Sequence, residues 1–142
     1  RLYRALVYEQ QVAADVSAYA WPTEAVGMMW IVATARPGVE AASLEEAIRE
    51  VLEHFLATGP TSRELAGARN RSRRQLVQRL ESVGHRADLI AHAAVYRDEP
   101  SYVNTVFDSY ANVSEAGIGS MAKQVLDLTS ATILHVIPRG DS

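Results

Sequence analysis

Cysteine is absent from the 142-residue sequence. Its absence excludes disulfide bonds and thiolate metal ligands from these residues, but it is compatible with an oxidising or a reducing compartment. A long apolar segment is lacking as well, because the main apolar run, residues 26–33, is far shorter than the roughly 20 residues that cross a bilayer. The sequence therefore predicts no membrane anchor and leaves the compartment open.

An excess of positive charge is also lacking, because the sequence has 14 Lys and Arg against 17 Asp and Glu, which gives a net charge of −3. This balance argues against nucleic-acid binding, although the charges are unevenly distributed. One predicted helix is basic and the helix before it is acidic; the residues concerned are Arg63, Arg69, Arg71, Arg73, Arg74 and Arg79, and Glu45, Glu46, Glu50 and Glu53. We interpret them mainly as solvated or paired within the protein, with an interdomain surface as the next alternative.

The composition, 48% hydrophobic and 22% charged, is that of an ordinary globular protein, and 142 residues form one domain of usual size. A helix is predicted from residue 1 to about 13, followed by strands at 16–21 and 26–35 that form an antiparallel hairpin. The second strand is almost continuously apolar, which is typical of a central strand covered on both faces.

Helices dominate the next part of the sequence. Two capping boxes, Ser43 with Glu46 and Thr61 with Glu64, predict the starts of two helices. The second helix is long, with a bend predicted at Gly84, and residues 98–100 interrupt the chain. Two shorter helices at 101–112 and 114–126, the latter capped by Ser114, precede an apolar segment at 131–137 that is predicted to be a third, buried strand.

The order of these elements predicts an α+β fold in which helices cover an antiparallel sheet. Three strands are few for this amount of helix. We therefore expect a preceding strand and helix to lie outside the numbered residues.

Several segments, in order, resemble the pitrilysin/insulinase family of zinc metallopeptidases. They are residues 1–19, 33–39, 59–70, 80–84, 94–96 and 135–139, and together they extend over nearly the whole chain. The resemblance implies that residues 1–142 are a single C-terminal-type half-repeat of a clamshell peptidase, an elaborated ferredoxin-like fold that encloses peptides. It leaves open whether the half-repeat belongs to the zinc-bearing repeat or to a degenerate partner repeat.

In that family, zinc is held by an H-x-x-E-H helix and a distal glutamate. The histidines here, His54, His85, His92 and His135, have no pair at the four-residue spacing that places two imidazoles on one helical face. We therefore expect zinc in the full-length protein and none bound by this chain. No catalytic or metal-binding residue is predicted within it, and the substrate-binding residues are not identified.

Active members of the family also tend to carry an arginine and a tyrosine seven residues apart in the opposite half, where they polarise the scissile carbonyl. Alignment on Glu9 puts these positions at Val7 and Ala14, neither of which has a side-chain donor. Arg1 and Tyr8 have the same spacing in the wrong register, and we interpret that match as coincidence.

The resemblance thus implies a non-metal-binding domain that packs against a catalytic or companion repeat, in the same chain or in another subunit, and forms part of a chamber for peptide substrates. Alone, the chain is not expected to be active. The alternative is a non-catalytic scaffold or partner subunit on the same fold that binds proteins without cleaving them.

Overall fold

The computed structural model describes residues 1–23 and 26–138. These residues form, in chain order, a π-helix (Arg4–Glu9), β1 (Ala13–Trp21), β2 (Met28–Ala35), α1 (Ala41–Thr58), α2 (Ser62–Glu81), α3 (Val83–Arg97), a 3₁₀ helix (Pro100–Thr105), α4 (Val106–Asn112) and α5 (Glu115–Val125). The predicted α+β class is confirmed. The chain divides into two compact units: Arg1–Thr58 with the chain from Met121 onward, and Gly59–Ser120.

The predicted hairpin is confirmed: β1 and β2 pair antiparallel in a two-stranded sheet. Directly opposed residues share a face, so the pairs Val16–Ala33 and Ala18–Ile31 lie on the inner face, whereas Tyr19–Trp30 lies on the outer face. Alternation thus gives the hairpin two different surfaces. The sequence also predicts a turn at residues 22–25 between the two strands, and Glu24 and Ala25 of this turn lie outside the described residues.

The core of the first unit lies between the inner face of the hairpin, the π-helix and α1. Leu6 and Ala13 are fully buried at its centre, and Val16, Leu44 and Ala47 are buried beside them. This apolar cluster holds α1 against the sheet through the hydrophobic effect. Among the described residues, no helix combines the length and apolar character needed to cross a membrane.

The prediction that β2 is covered on both faces is wrong. Met28, Trp30 and Val32 are each about half exposed, at 50%, 45% and 47%. One helical layer packs on a two-stranded sheet from one side only, so the apolar side chains of the outer face stay in contact with solvent.

The prediction of a third strand at residues 131–137 is also wrong. These residues have no helix, turn or strand pairing, and Leu134 and Val136 are more than four-fifths exposed, at 82% and 83%. A strand requires a neighbour for its backbone hydrogen bonds. Among the described residues, β2 pairs only with β1, and this segment has no such neighbour.

The helix starts are partly as predicted. At α2 the Glu64 amide donates to Thr61 Oγ1 at 3.3 Å and the Thr61 amide donates to Glu64 Oε2 at 2.8 Å, which confirms that capping box. The box predicted at Ser43 is wrong, because α1 begins at Ala41 and Ser43 lies inside its first turn.

Within the described residues of the second unit, every secondary-structure element is a helix. Its long helix breaks at Ser82, whose extended backbone caps α3, and not at the predicted Gly84. Asp98 takes a left-handed conformation with φ of 53° and ends α3, as the interruption at residues 98–100 predicted. The predicted helix at 101–112 starts as a 3₁₀ helix, and Ser114 caps the next helix by accepting the Gly117 amide at 3.0 Å.

Candidate functional site

The outer face of the hairpin is the first candidate surface. Its apolar side chains are Tyr19, Trp21, Met28, Trp30 and Val32, all of them substantially exposed. The Tyr19 and Trp30 rings lie parallel within 7°, with centroids 6.5 Å apart. A continuous exposed apolar patch of this kind is unusual on a soluble domain and marks a surface that contacts something else.

Val7 and Ala14, the two positions that the sequence resemblance aligns with an arginine and a tyrosine, both lie on irregular backbone. Val7 is buried within the π-helix. Ala14 is exposed at a β-bulge, because the strand register shifts between Ala13 and Asp15. Inserted residues of both kinds recur near functional sites, where they redirect a side chain. The side chains at these positions nevertheless have no group that could stabilise an oxyanion.

Arg36 connects these two irregular stretches. Its Nη2 donates to the Val7 carbonyl and its Nε donates to the Ala13 carbonyl, both at 3.2 Å. Its own amide donates to the Val12 carbonyl at 3.0 Å, which closes the open end of the hairpin. Arg36 is therefore a structural cross-link, and its partly buried guanidinium is occupied by backbone carbonyls.

Arg1 and Tyr8 make contacts that suit packing. The Arg1 guanidinium lies 5.1 Å from the centroid of Phe55 and donates to Thr58 Oγ1 at 3.2 Å. The Tyr8 ring packs edge to face on Tyr3, with centroids 5.5 Å apart. These contacts assign both residues to the surface packing of the first unit.

The side chains in the described part of the chain form no site that fits zinc. Among residues 1–23 and 26–138, no three His, Asp or Glu side chains are grouped so that they could hold an ion. His135 Nε2 lies 3.0 Å from Glu45 Oε2, but the same carboxylate group bonds Arg49 at 3.3 Å, and a nearby guanidinium disfavours a cation. His92 packs on the Tyr96 ring at 4.5 Å.

A cleft of about 590 Å³ lies on the inner side of the hairpin and is here named the inner cleft. One wall is β2, through Met29, Ile31, Ala33 and Ala35, and α1 and residues 124–136 form the rest. Two polar contacts hold the later segment to α1: the Glu45–His135 pair and a bond from Arg49 Nη1 to the Leu128 carbonyl at 3.3 Å.

Asp127, at the end of the inner cleft, accepts hydrogen bonds from two following side chains. Ser130 Oγ donates at 2.6 Å and Thr129 Oγ1 at 2.7 Å. These bonds stabilise the carboxylate and lower the pKa of Asp127 to about 2, with the Ser130 bond as the largest cause. The group closes a local turn.

The arginines of α2 belong to the second unit. Arg69 donates to the Val113 carbonyl, and the Arg73 guanidinium lies 6.0 Å from the centroid of Phe107, so these two are used in packing. Arg63, Arg71 and Arg74 are exposed. A separate polar cleft of about 390 Å³ in this unit is lined by Arg79, His85 and Tyr110, among others.

Comparison with family models decides the classification. Residues 1–72, half of the chain, match the model described as the peptidase M16 inactive domain. The chain belongs to the M16 peptidase family. This result confirms the resemblance to pitrilysin/insulinase peptidases. No curated protein matches the chain.

Solved structures show the same fold as this M16 domain. A proposed zinc protease from Bordetella pertussis Tohama I matches with a TM-score of 0.83 and 18% identity, over 98% of this chain and 76% of that chain. A protease from Helicobacter pylori matches with a TM-score of 0.75 and 18% identity, over 87% of this chain and 30% of that chain.

The periplasmic protease PqqL from Escherichia coli matches with a TM-score of 0.71 and 22% identity, over 88% of this chain and 14% of that chain. The M16 domain therefore spans less than a third of the Escherichia coli and Helicobacter pylori chains that it matches.

Sequence reasoning missed two parts of the candidate site. The exposure of the outer face could not be predicted, because a continuous apolar run such as that of β2 does not show whether one face of the strand is buried or both. The cross-link made by Arg36 could have been found from its position, because a lone basic residue directly follows the apolar strand and precedes Pro37 and Gly38.

Proposed function

We propose that residues 1–142 act as one half-repeat, the non-metal-binding domain of a zinc metalloendopeptidase. In this proposal it packs against a catalytic repeat, in the same chain or in another subunit, and its outer face is part of the wall of the chamber in which peptides are cut. Zinc and its activated water belong to the catalytic repeat.

The observation that carries the proposal is the outer face, in a chain that belongs to the M16 family. Trp21 and Trp30 expose 58% and 45% of their surface beside Tyr19 and Met28. Aromatic side chains bind apolar peptide side chains through large contact areas with little loss of rotamer freedom, and the flexible thioether of methionine adapts to the shape of its partner. The same face also carries two polar residues, Asp15 and Ser17, and both are exposed to solvent.

The test uses the complete protease together with its catalytic repeat and a quenched fluorescent peptide with aromatic side chains. Replacement Trp30→Ser removes the centre of the outer face, and we expect KM to rise roughly tenfold with a smaller change in kcat. Val83→Ser is the matched control, since Val83 is an exposed apolar residue of the second unit. It should leave both constants within about twofold of the parent.

Two results contradict the proposal. An unchanged KM for Trp30→Ser would show that the outer face does not contact the peptide substrate. A complete protein that binds no zinc and cleaves no peptide, but retains partner proteins, would favour the scaffold alternative.

A further inference from the structure

The polar cleft of the second unit lies where α2 ends and α3 begins. Arg79 is in the last turn of α2 and His85 is in the first turn of α3, on either side of the break at Ser82. Both α3 and α4 pack against α2, and α4 contributes Tyr110 to the cleft. The break therefore brings a guanidinium, an imidazole and a phenol from three helices to one opening.

The lining of this cleft is rich in hydrogen-bond donors. Besides Arg79, His85 and Tyr110, it includes Ser72 and Gln75, which share one face of α2 with Arg79 because of their helical spacing. No aspartate or glutamate is among the described residues that line it. Within the described ranges, these five side chains make no hydrogen bond or ion pair with one another or with other residues. The donors are thus available to a ligand that brings acceptor oxygens.

The size and the charge of the cleft restrict its ligand. Its volume of about 390 Å³ lies at the lower end of the range for ligand pockets, roughly 300–1,000 Å³. Of the described lining residues, Arg79 alone carries a permanent positive charge. One such charge matches a carboxylate better than the nearly double charge of a phosphate group. The planar guanidinium also bonds both carboxylate oxygens in parallel.

We propose that the polar cleft binds the carboxylate of a peptide, with Arg79 as the charged anchor. The Tyr110 hydroxyl and the Gln75 amide donate to the same carboxylate. Leu76, which is buried at the floor of the cleft, and the Tyr110 ring contact the neighbouring apolar atoms of the peptide. The carboxylate is that of a peptide terminus or of an aspartate or glutamate side chain, two sources with the same chemistry.

The peptide as carrier rests on the proposed function, whereas the preference for a carboxylate rests on the lining of the cleft. The described residues of the cleft belong to the second unit, and the outer face belongs to the first. The cleft is therefore a second peptide contact, selective for charge, beside an outer face that is selective for apolar side chains.

Binding of three short peptides to the complete protein tests the proposal. All consist of glycine and alanine without aromatic residues: one has a free carboxyl terminus, one has an internal glutamate and an amidated terminus, and one has glutamine in place of that glutamate. Saturation-transfer difference NMR, with a chelator present to prevent metal-dependent cleavage, measures the dissociation constants. We expect at least one carboxylate peptide to bind about tenfold more tightly than the uncharged one, and the tighter of the two identifies the source. Equal binding of all three, or no measurable binding, overturns the proposal.

Three variants locate the binding. Arg79→Gln removes the charge and should weaken binding of the carboxylate peptide about tenfold, to the level of the uncharged peptide. Tyr110→Phe keeps the ring but loses the hydroxyl, and it should weaken binding about fivefold. Arg74→Gln is the matched control, since Arg74 is an exposed arginine of α2 that does not line the cleft, and it should change binding by less than about twofold.

Equal losses in Arg79→Gln and Arg74→Gln would show a general attraction to the positive charge of α2 and would overturn the proposal. The readout is binding without cleavage, and the peptides carry no aromatic side chain for the outer face. The two proposals therefore fail separately: an unchanged KM for Trp30→Ser leaves carboxylate binding intact, and a loss of carboxylate selectivity leaves the effect of Trp30→Ser intact.

Discussion

The guanidinium of Arg36 donates a hydrogen bond to the backbone carbonyl of Val7 at 3.2 Å, across the base of the hairpin. A second bond from the same side chain reaches Ala13. The carbonyls lie on the π-helix and on the strand next to the bulge, so one side chain fixes both departures from regular backbone.

Replacement Arg36→Met removes these bonds and leaves two partly buried carbonyls without their donor. We expect the free energy of unfolding to fall by about 2 kcal/mol, because hydrogen bonds to charged groups contribute more than neutral ones. Urea unfolding followed by circular dichroism measures the change. Arg74→Met, which alters an exposed arginine of α2, should shift the value by no more than about 0.5 kcal/mol. Equal losses in the two variants would contradict the cross-link.

Thr61→Ala tests the capping box of α2. Loss of the threonine hydroxyl removes the bond that the Glu64 amide donates to it, and the expected cost is about 1 kcal/mol of unfolding free energy. Ser43→Ala is the comparison, since Ser43 lies inside α1 and alanine is the better helix former there. If Ser43→Ala lowered the free energy of unfolding as much as Thr61→Ala does, Ser43 would be acting as a helix cap.

The glycines at 59 and 67 should respond oppositely to alanine. Gly59 has φ of +68°, a region where a β-carbon is strained, so Gly59→Ala is expected to destabilise by about 1 kcal/mol. Gly67 lies within α2, and a β-carbon there would meet nothing within 4 Å. Gly67→Ala should therefore stabilise by roughly 0.5–1 kcal/mol. Thermal unfolding of both variants decides the signs, and the same sign in both would be inconsistent with this backbone.

The pKa of Asp127, about 2, predicts a pH dependence. Because the folded value lies below the ordinary 3.8, the contribution to stability is fully present above pH 3.8 and is lost as the pH falls through about 2. Carbon-detected NMR titration of the Asp127 carboxyl should give this low midpoint. Ser130→Ala removes the largest cause and should raise it, while Thr105→Ala, distant in sequence, should not. A midpoint near 3.8 in the parent protein would refute the hydrogen-bonded turn.

The fold was predictable from the sequence where local chemistry determines it. The cap at Thr61, the antiparallel hairpin and the interruption at residues 98–100 depend on a few neighbouring residues, and these predictions agree with the structure. The strand expected at 131–137 depends on a distant partner for its backbone, and composition cannot supply that information.

The candidate site was only partly predictable for a similar reason. Resemblance placed Val7 and Ala14 at the positions of interest, but periodicity averages over whole turns and does not detect one inserted residue. The π-helix and the bulge were therefore missed, although both lie at those positions.

The six-residue π-helix winds more amino acids into each turn than an α-helix does. If one amino acid were deleted from it, the segment would relax to α-helical winding, and the side chains on its amino-terminal side would rotate by about 100° about the axis relative to β1. The length of this short stretch, and not only its composition, therefore sets the direction in which residue 7 points.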